Sequence, residues 1–200
     1  LTEAGLFSFI LYFFSPLMAQ GTSDEQASFD FAQSLFKDTS YANAAQEFRQ
    51  FIVHFPTSER MPLAMLRLGE SYFLSEQFRE STKAFQEFID KHPNHLQIAA
   101  AKRRKAQAFQ QLGEYTKAGE AFQEVQTTFP EGEYAPQDLL ASSINFQRGN
   151  SLDASESALR ILIAKYPRSS LIHEAIYNLG RILLKANRPE EALSQFRKIS

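Results

Sequence analysis

The chain has 200 residues, of which 21 are basic, 23 are acidic and none is cysteine. The formal net charge of −2 gives no general electrostatic reason to expect binding to nucleic acid or to an anionic membrane surface. Without cysteine, these residues form no disulfide, thiolate metal site or cysteine nucleophile, and they lack the lipid-bearing cysteine of a bacterial lipoprotein.

The first twenty residues differ in composition from the rest. The stretch AGLFSFILYFFSPLMAQ is apolar from Ala4 to Ala19, apart from small polar residues and Pro16. Its apolar core is shorter than the roughly 20 residues of a membrane-spanning helix, and Pro16 followed by Leu-Met-Ala is typical of a cleavage region. We therefore predict a signal peptide over residues 1–19, either cleaved after Ala19 or retained as an anchor. No Lys or Arg precedes the core, so a third interpretation, that this segment is not a signal, stays open.

From residue 24 the sequence repeats with a period of 37 residues. Four prolines, each preceded by an aromatic residue or histidine, lie 37 residues apart at Pro56, Pro93, Pro130 and Pro167. A fixed period of this length indicates stacked supersecondary units. We expect an array over residues 24–200. Its approximate rows are 24–57, 58–94, 95–131, 132–168 and 169–200, with the last row truncated.

Two columns of the repeat contain only Gly, Ala or Ser. Close approach of two antiparallel helices requires small side chains, because a larger residue at the crossing overpacks and costs about 1–3 kcal/mol. We therefore predict that both columns lie buried where the two helices of a row meet. The members are Ala32, Gly69, Ala106, Ser143 and Gly180 in first helices, and Ala44, Ser81, Ala118, Ser155 and Ala192 in second helices.

Large apolar residues occupy the complementary columns. Their spacing of three or four residues places them on one stripe of a helix, which predicts the apolar interior of each row. In second helices they are Phe48, Phe85, Phe122, Leu159 and Phe196, then Phe51, Phe88, Val125, Leu162 and Ile199. In first helices they are Leu35, Tyr72, Phe109, Phe146 and Leu183.

A turn position separates the two helices of each row, and it holds Thr39, Glu76, Gly113, Asn150 and Asn187. Gly and Asn adopt the left-handed conformation that ends many helices. Each row is therefore predicted to be helix, turn, helix.

Proline marks the helix ends. The aromatic–proline step ends the second helix, because proline lacks an N–H group and restricts the preceding residue to extended conformations. Pro62, Pro136 and Pro189 fit only within the first turn of a helix, so we expect helices to begin at or just before them.

The order of small residue, aromatic, Gly or Asn turn, aromatic, small residue, Phe and Pro resembles the tetratricopeptide repeat. The clearest matches are LGESYFLSEQFRESTKAFQEFIDKHP and AQAFQQLGEYTKAGEAFQEVQTTFP. The long rows are similar to those of periplasmic Tol-Pal-associated and BAM-complex proteins, although no lipoprotein cysteine and no heptad-patterned segment accompanies them. The resemblance implies an all-α fold, a right-handed superhelical solenoid of about five helix-turn-helix repeats.

The resemblance also implies a concave groove that is built from the first helices and binds a protein or peptide. Its N-terminal part is apolar and the remainder is basic and rich in glutamine, which suits an extended peptide with an apolar anchor and carboxylates. The arginines have no acidic partner in their own helices, whereas the apolar members are equally compatible with packing against neighbouring rows. The candidate partner-binding residues are Phe36, Lys37, Leu66, Glu70, Phe73, Leu74, Arg103, Gln107, Gln110, Ile144, Arg148, Tyr177, Arg181 and Lys185.

The third row departs most from the pattern, with AAAKRRKAQ in its first helix. Lys102 and Lys105 stand where other rows carry Met, Leu or Ile. Either their charged tips extend past a thin apolar edge, or they form a basic patch for an acidic partner.

Catalytic and metal-binding patterns are weak. His92 and His95 bracket a turn at a spacing seen in some metal pairs, but no cysteine or suitable carboxylate completes a site. No serine lies in a nucleophile-elbow context, and the glycines form no phosphate loop. We predict no enzymatic activity and no cofactor or metal.

We therefore hypothesise a non-catalytic protein–protein interaction scaffold that is exported to the periplasm or cell envelope. The alternative is a structural assembly module, of the outer-membrane-assembly or Tol-Pal type, that associates through its ends. The observation that supports this alternative is the apolar face of Leu193, Phe196 and Ile199, which predicts either further repeats or self-association. We expect no nucleic-acid partner, and membrane contact only through an uncleaved N-terminal segment.

Overall fold

The structure is a computed structural model that describes residues 23–199. The predicted signal segment, residues 1–19, lies outside the described residues. All regular secondary structure in the described range is helical, which confirms the all-α prediction. The helices belong to two compact units, which divide between Glu76 and Gln77.

The first unit contains three described helices. They are α1 (23–37), α2 (Tyr41–His54) and α3 (Met61–Leu74). Phe29 on α1 packs edge-on against two rings of α2, with centroid distances of 5.9 Å to Phe48 and 5.3 Å to Phe51. These aromatic contacts hold α1 and α2 together as a hairpin.

The second unit contains seven helices in its described residues. They are α4 (Phe78–Lys91), α5 (Ile98–Gln111), α6 (Tyr115–Thr128), α7 (Ala135–Arg148), α8 (Leu152–Lys165), α9 (Ile172–Lys185) and α10 (Pro189–Phe196). Helices α5, α7 and α9 begin 37 residues apart, as do α4, α6, α8 and α10. The sequence period is thus a structural period.

The two small-residue columns are buried in every row, as predicted. All ten positions are buried, and each of the five second-helix members has 0% of its surface exposed. Between α7 and α8 the approach is direct, because the Ser155 hydroxyl donates to the Ser143 carbonyl at 2.8 Å. Their hydroxyl oxygens lie 3.0 Å apart. The predicted burial of both columns is confirmed, and between α7 and α8 it accompanies a direct helix contact.

The large columns form the interior between these helices. Most members are buried, including Phe48, Phe85 and Leu159 with 0% exposure. The members that stay partly exposed are Leu35, Phe109, Phe196 and Ile199. The predicted interior is therefore confirmed, with partial exposure at those four positions.

All five turn positions adopt positive φ angles between 58° and 74°. In the α5–α6 turn, the N–H of Glu114 then donates to the carbonyl of Phe109 at 3.0 Å, a bond that ends many helices. Thr39 has φ 59°, although a β-branched side chain is strained there. The position of Thr39 in the repeat thus determines its φ angle, against the conformational preference of threonine.

The prolines lie where the sequence predicts. Helices α2, α4, α6 and α8 end one residue before the aromatic or histidine that precedes each proline. Pro62 and Pro136 are the second residues of α3 and α7, and Pro189 is the first residue of α10.

We predict that Ala118→Leu lowers the free energy of unfolding by about 1–3 kcal/mol, because the site on α6 has no room for a larger side chain. Urea titration of wild type and variant measures the difference. Glu120→Leu, on the exposed face of the same helix, is the control and leaves stability nearly unchanged. Equal effects of the two substitutions would contradict the crossing.

We also predict that Thr39→Asn raises the free energy of unfolding by about 0.5–1 kcal/mol, because asparagine tolerates positive φ better than threonine. The reverse change at the equivalent position, Asn150→Thr, lowers it by a similar amount. Denaturant midpoints of both variants check this, and a shift of the same sign in both would refute it.

Candidate functional site

The candidate site is the stripe of each first helix that lies beside the buried small residue. Relative to that residue, the predicted partner-binding positions lie at −3, +1, +4 and +5, which share one face of a helix. We use the name first-helix surface for this stripe on α5, α7 and α9, which all lie in the second unit. The corresponding residues of α1 and α3 lie in the first unit and form a separate candidate.

In the first unit, the aromatic candidate Phe36 is already engaged. Its ring lies 5.4 Å from that of Tyr41, edge-on, and the Arg67 guanidinium lies 4.8 Å from its centroid. Arg67 also donates to Glu70 at 2.6 Å. Glu70 therefore has an internal cation partner, and Lys37 is exposed beside this group.

The apolar candidates of α3 divide between interior and surface. Leu66 is 3% exposed, so its side chain packs inside the protein, which is the alternative that the sequence left open. Phe73 is partly buried, and Leu74 is 43% exposed. The apolar surface of this unit is therefore smaller than the sequence predicts.

In the second unit, Arg103 is held by a carboxylate. Its Nε donates to Asp138 Oδ1 at 2.6 Å and an Nη donates to Oδ2 at 2.7 Å, while the ring of Tyr134 lies 4.7 Å away. The hydrogen bond to Asp138 raises the pKa of Arg103. The arginine lacks an acidic partner in its own helix, but α7 supplies one. Arg103 is therefore already paired with a carboxylate of α7.

A second polar contact joins the same two helices. The amide of Asn145, a buried residue of α7, donates to Gln110 on α5 at 3.2 Å and to the carbonyl of Ala141 at 2.8 Å. Gln107 accepts from Arg104 at 3.0 Å. Sequence reasoning missed these contacts. The available signal was that Arg103–Asp138 and Gln110–Asn145 are each separated by 35 residues.

The C-terminal part of the first-helix surface is open. Tyr177 is 50% exposed and Leu184 is 51% exposed, and Arg148, Arg181 and Lys185 are exposed cations. Arg148 lies 5.7 Å from the ring of Tyr115, and Arg181 lies 5.8 Å from that of Tyr177. Among residues 23–199, no carboxylate forms a salt bridge with any of these three cations.

The lysines of the third row do not form a patch. Lys102 donates to Glu124 on α6 at 2.5 Å, and Lys105 donates to Gln86 on α4 at 2.6 Å. Burial lowers the pKa of Lys105. Both ammonium groups extend along the protein to polar partners, so the structure favours this interpretation over a basic patch for a ligand.

The described residues contain no group of three or more His, Asp or Glu placed to hold a metal ion. In the same range, no helix is long and apolar enough to cross a membrane.

Comparison with known proteins identifies the repeats. Tetratricopeptide-repeat family models match residues 100–132 and 140–199, and the model of an outer membrane lipoprotein family matches residues 22–102. No curated protein matches the sequence. Residues 100–132 and 140–199 are therefore tetratricopeptide repeats, and residues 22–102 resemble an outer membrane lipoprotein family, so the recognition made from the sequence is confirmed.

Solved structures have the same fold at low sequence identity. MamA (residues 41 to the end) from Desulfovibrio magneticus RS-1 is 14% identical with a TM-score of 0.62, over 88% of this chain and 92% of that one. Kinesin light chain TPR-like repeats from Podosopora anserina are 13% identical with a TM-score of 0.62, over 88% and 93%. The apo form of RapI is 14% identical with a TM-score of 0.67, over 92% of this chain and 56% of that one. Tetratricopeptide repeats typically form non-catalytic scaffolds that bind other proteins.

We predict that Arg103→Leu lowers the free energy of unfolding by about 3 kcal/mol, because it leaves the buried Asp138 carboxylate without its partner. The chain offers a matched control, since the equivalent pair one period later is Leu140 and Ala175. The double variant Arg103→Leu/Asp138→Ala therefore recovers most of the loss. Urea titration compares the two, and a double variant no more stable than the single one would contradict the account.

Proposed function

We propose that the protein is an interaction scaffold that holds an extended peptide or a partner domain on its first-helix surface. The observation that carries the proposal is the open part of that surface, where Arg148, Arg181 and Lys185 are exposed and form no salt bridge with any of residues 23–199. Apolar surface is exposed at Tyr177, which precedes Arg181, and at Leu184, which precedes Lys185. Cations and apolar groups on one helical stripe suit a ligand that carries carboxylates and a large apolar side chain.

The remaining predicted residues have supporting roles in this proposal. Ile144, Gln107 and Gln110 are partly exposed along the same stripe of α7 and α5, where they extend the surface with apolar and amide groups. Arg103 positions α5 against α7 through Asp138 rather than meeting the ligand. In the first unit, Phe36, Lys37, Phe73 and Leu74 offer a second, smaller surface that we propose binds an apolar segment of a partner.

We further propose that the scaffold works in the cell envelope. The match of residues 22–102 to an outer membrane lipoprotein family supports this location, together with the signal-like composition of residues 1–19. In this proposal residues 1–19 are the signal peptide and residues 24–200 form the repeat array. The approximate rows are 24–57, 58–94, 95–131, 132–168 and 169–200.

Charge reversal on the first-helix surface tests the scaffold. Arg148→Glu/Arg181→Glu is expected to reduce partner recovery from an envelope extract by roughly tenfold or more, because both cations then repel a carboxylate ligand. The control, Lys165→Glu/Arg168→Glu, changes net charge equally at exposed positions outside that surface and leaves recovery unchanged. Quantitative mass spectrometry of the captured proteins reads the result. Equal recovery by wild type and both variants would count against the surface.

A second candidate function, association through α10, is favoured by the 49% exposure of Leu193. Phe196 and Ile199 on the same segment are partly exposed. If this face binds a second copy, light scattering gives a dimer mass for wild type and a monomer mass for Leu193→Glu. A monomer in both cases would remove this candidate.

A further inference from the structure

The turn that joins α4 to α5 differs chemically from the equivalent turns elsewhere in the chain. It contains His92 and His95, and both imidazoles lie against the ring of Phe88, with centroid distances of 5.6 Å and 5.2 Å. The equivalent positions one and two periods later carry Phe129 with Gly132, and Tyr166 with Ser169. None of these four residues has an imidazole group.

The backbone of this turn is the same as that of its equivalents. The N–H of His95 donates to the His92 carbonyl at 3.0 Å, and the N–H of Ile98 donates to the His95 carbonyl at 2.9 Å. The Ser169 turn has the same two bonds at 2.9 and 3.2 Å, and the Gly132 turn has them at 3.0 and 3.0 Å. The fold of the turn therefore does not require histidine.

His95 performs the task that serine performs in two other turns. Its Nδ1 accepts from the N–H of Gln97 at 3.2 Å. Ser58 Oγ accepts from the N–H of Arg60 at 3.0 Å, and Ser169 Oγ accepts from that of Leu171 at 3.2 Å. A hydroxyl accepts at any ordinary pH, whereas an imidazole protonated on both nitrogens has no acceptor left. The hydrogen bond that leads into α5 is therefore lost when the His95 imidazole carries both protons.

His92 adds a second proton-sensitive group to the same turn. Its Nε2 is buried and has no hydrogen-bond partner among the described residues. Burial, then His95, then Lys91 lower the pKa of His92. Because the unfolded chain binds this proton more readily, stability falls as pH drops below the ordinary value of about 6.5. The loss levels off once His92 is also protonated in the folded protein.

Several charged side chains on α4 and α5 are held by partners outside the turn. On α4, the Lys91 ammonium donates to Glu87 at 2.7 Å, and Asp90 accepts from Gln86 at 2.7 Å. On α5, Lys102 is paired with Glu124 of α6, and Lys105 donates to Gln86. The fields of His95 and Lys91 both disfavour protonation of His92 and so lower its pKa further.

We propose that the α4–α5 turn is an acid-sensitive joint, in which protonation of His92 and His95 breaks the His95–Gln97 hydrogen bond and loosens the start of α5. A partner bound along α5 and the helices after it is then released more readily in mild acid. This last consequence rests on the proposed scaffold function, whereas the joint itself does not.

An NMR pH titration of the full chain tests the joint without any substitution. Between pH 7.5 and 5.5, the Gln97 amide resonance is expected to move and its hydrogen-exchange protection factor to fall by roughly tenfold, the value of one net hydrogen bond. The Leu171 amide, which donates to Ser169, is the internal control and keeps its protection factor. A Gln97 amide that behaves like that of Leu171 would overturn the proposal.

Variants that copy the chain's own turns provide the second test. His92→Phe/His95→Ser keeps the aromatic ring and the acceptor but removes both titrating groups. We expect the fall in unfolding temperature between pH 7.5 and 5.5 to shrink by at least half in this variant. His173→Gln, at an exposed position on α9, keeps the wild-type fall. An unchanged fall in the double variant contradicts the proposal, and if that variant does not fold the NMR titration decides alone.

Discussion

The second unit depends on close approach between the paired helices α5 and α6, α7 and α8, and α9 and α10, which only small side chains allow. At Gly180, an added Cβ would lie 2.4 Å from the ring of Phe196, so any larger residue displaces that ring. The rows with Gly or Ala in the first-helix column carry Phe sixteen positions later, whereas the row with Ser143 carries Leu159. The size of one residue is therefore matched to the size of the other, as close packing requires. A hairpin buries only part of its apolar surface, so the rows also stabilise one another by stacking.

Beside the packed small residues, each first helix of the second unit carries the first-helix surface, which makes two kinds of contact. Between α5 and α7 it forms the Arg103–Asp138 salt bridge and the Asn145–Gln110 hydrogen bond, which hold one helix against the next. Further along, Leu140 and Ala175 belong to an apolar core cluster. Within residues 23–199, the cations beyond that point, Arg148, Arg181 and Lys185, form no salt bridge. Most of the binding capacity that we propose thus lies toward α9.

The sequence predicts the helices, the turns and the buried columns because each depends on local geometry repeated every 37 residues. Thr39 shows this well, since its φ angle follows its column rather than its own preference. The site is harder to predict, because exposure depends on the neighbouring row. Arg103 finds its carboxylate on the next first helix, and Leu66 is buried although its column suggests a surface position. Contacts between rows involve residues 35 apart, a separation that reading one helix at a time does not reveal.

A double-mutant cycle between Gly180 and Phe196 tests the central constraint most directly. In the wild-type background, Gly180→Ala is expected to destabilise the protein, because the new methyl group meets the Phe196 ring. In a Phe196→Leu background the same change becomes neutral or stabilising, since alanine is the better helix former once the ring is gone. The account predicts a coupling free energy of about 1–3 kcal/mol from denaturant titrations of the four proteins. Additive effects would show that the crossing tolerates larger side chains and would contradict the account.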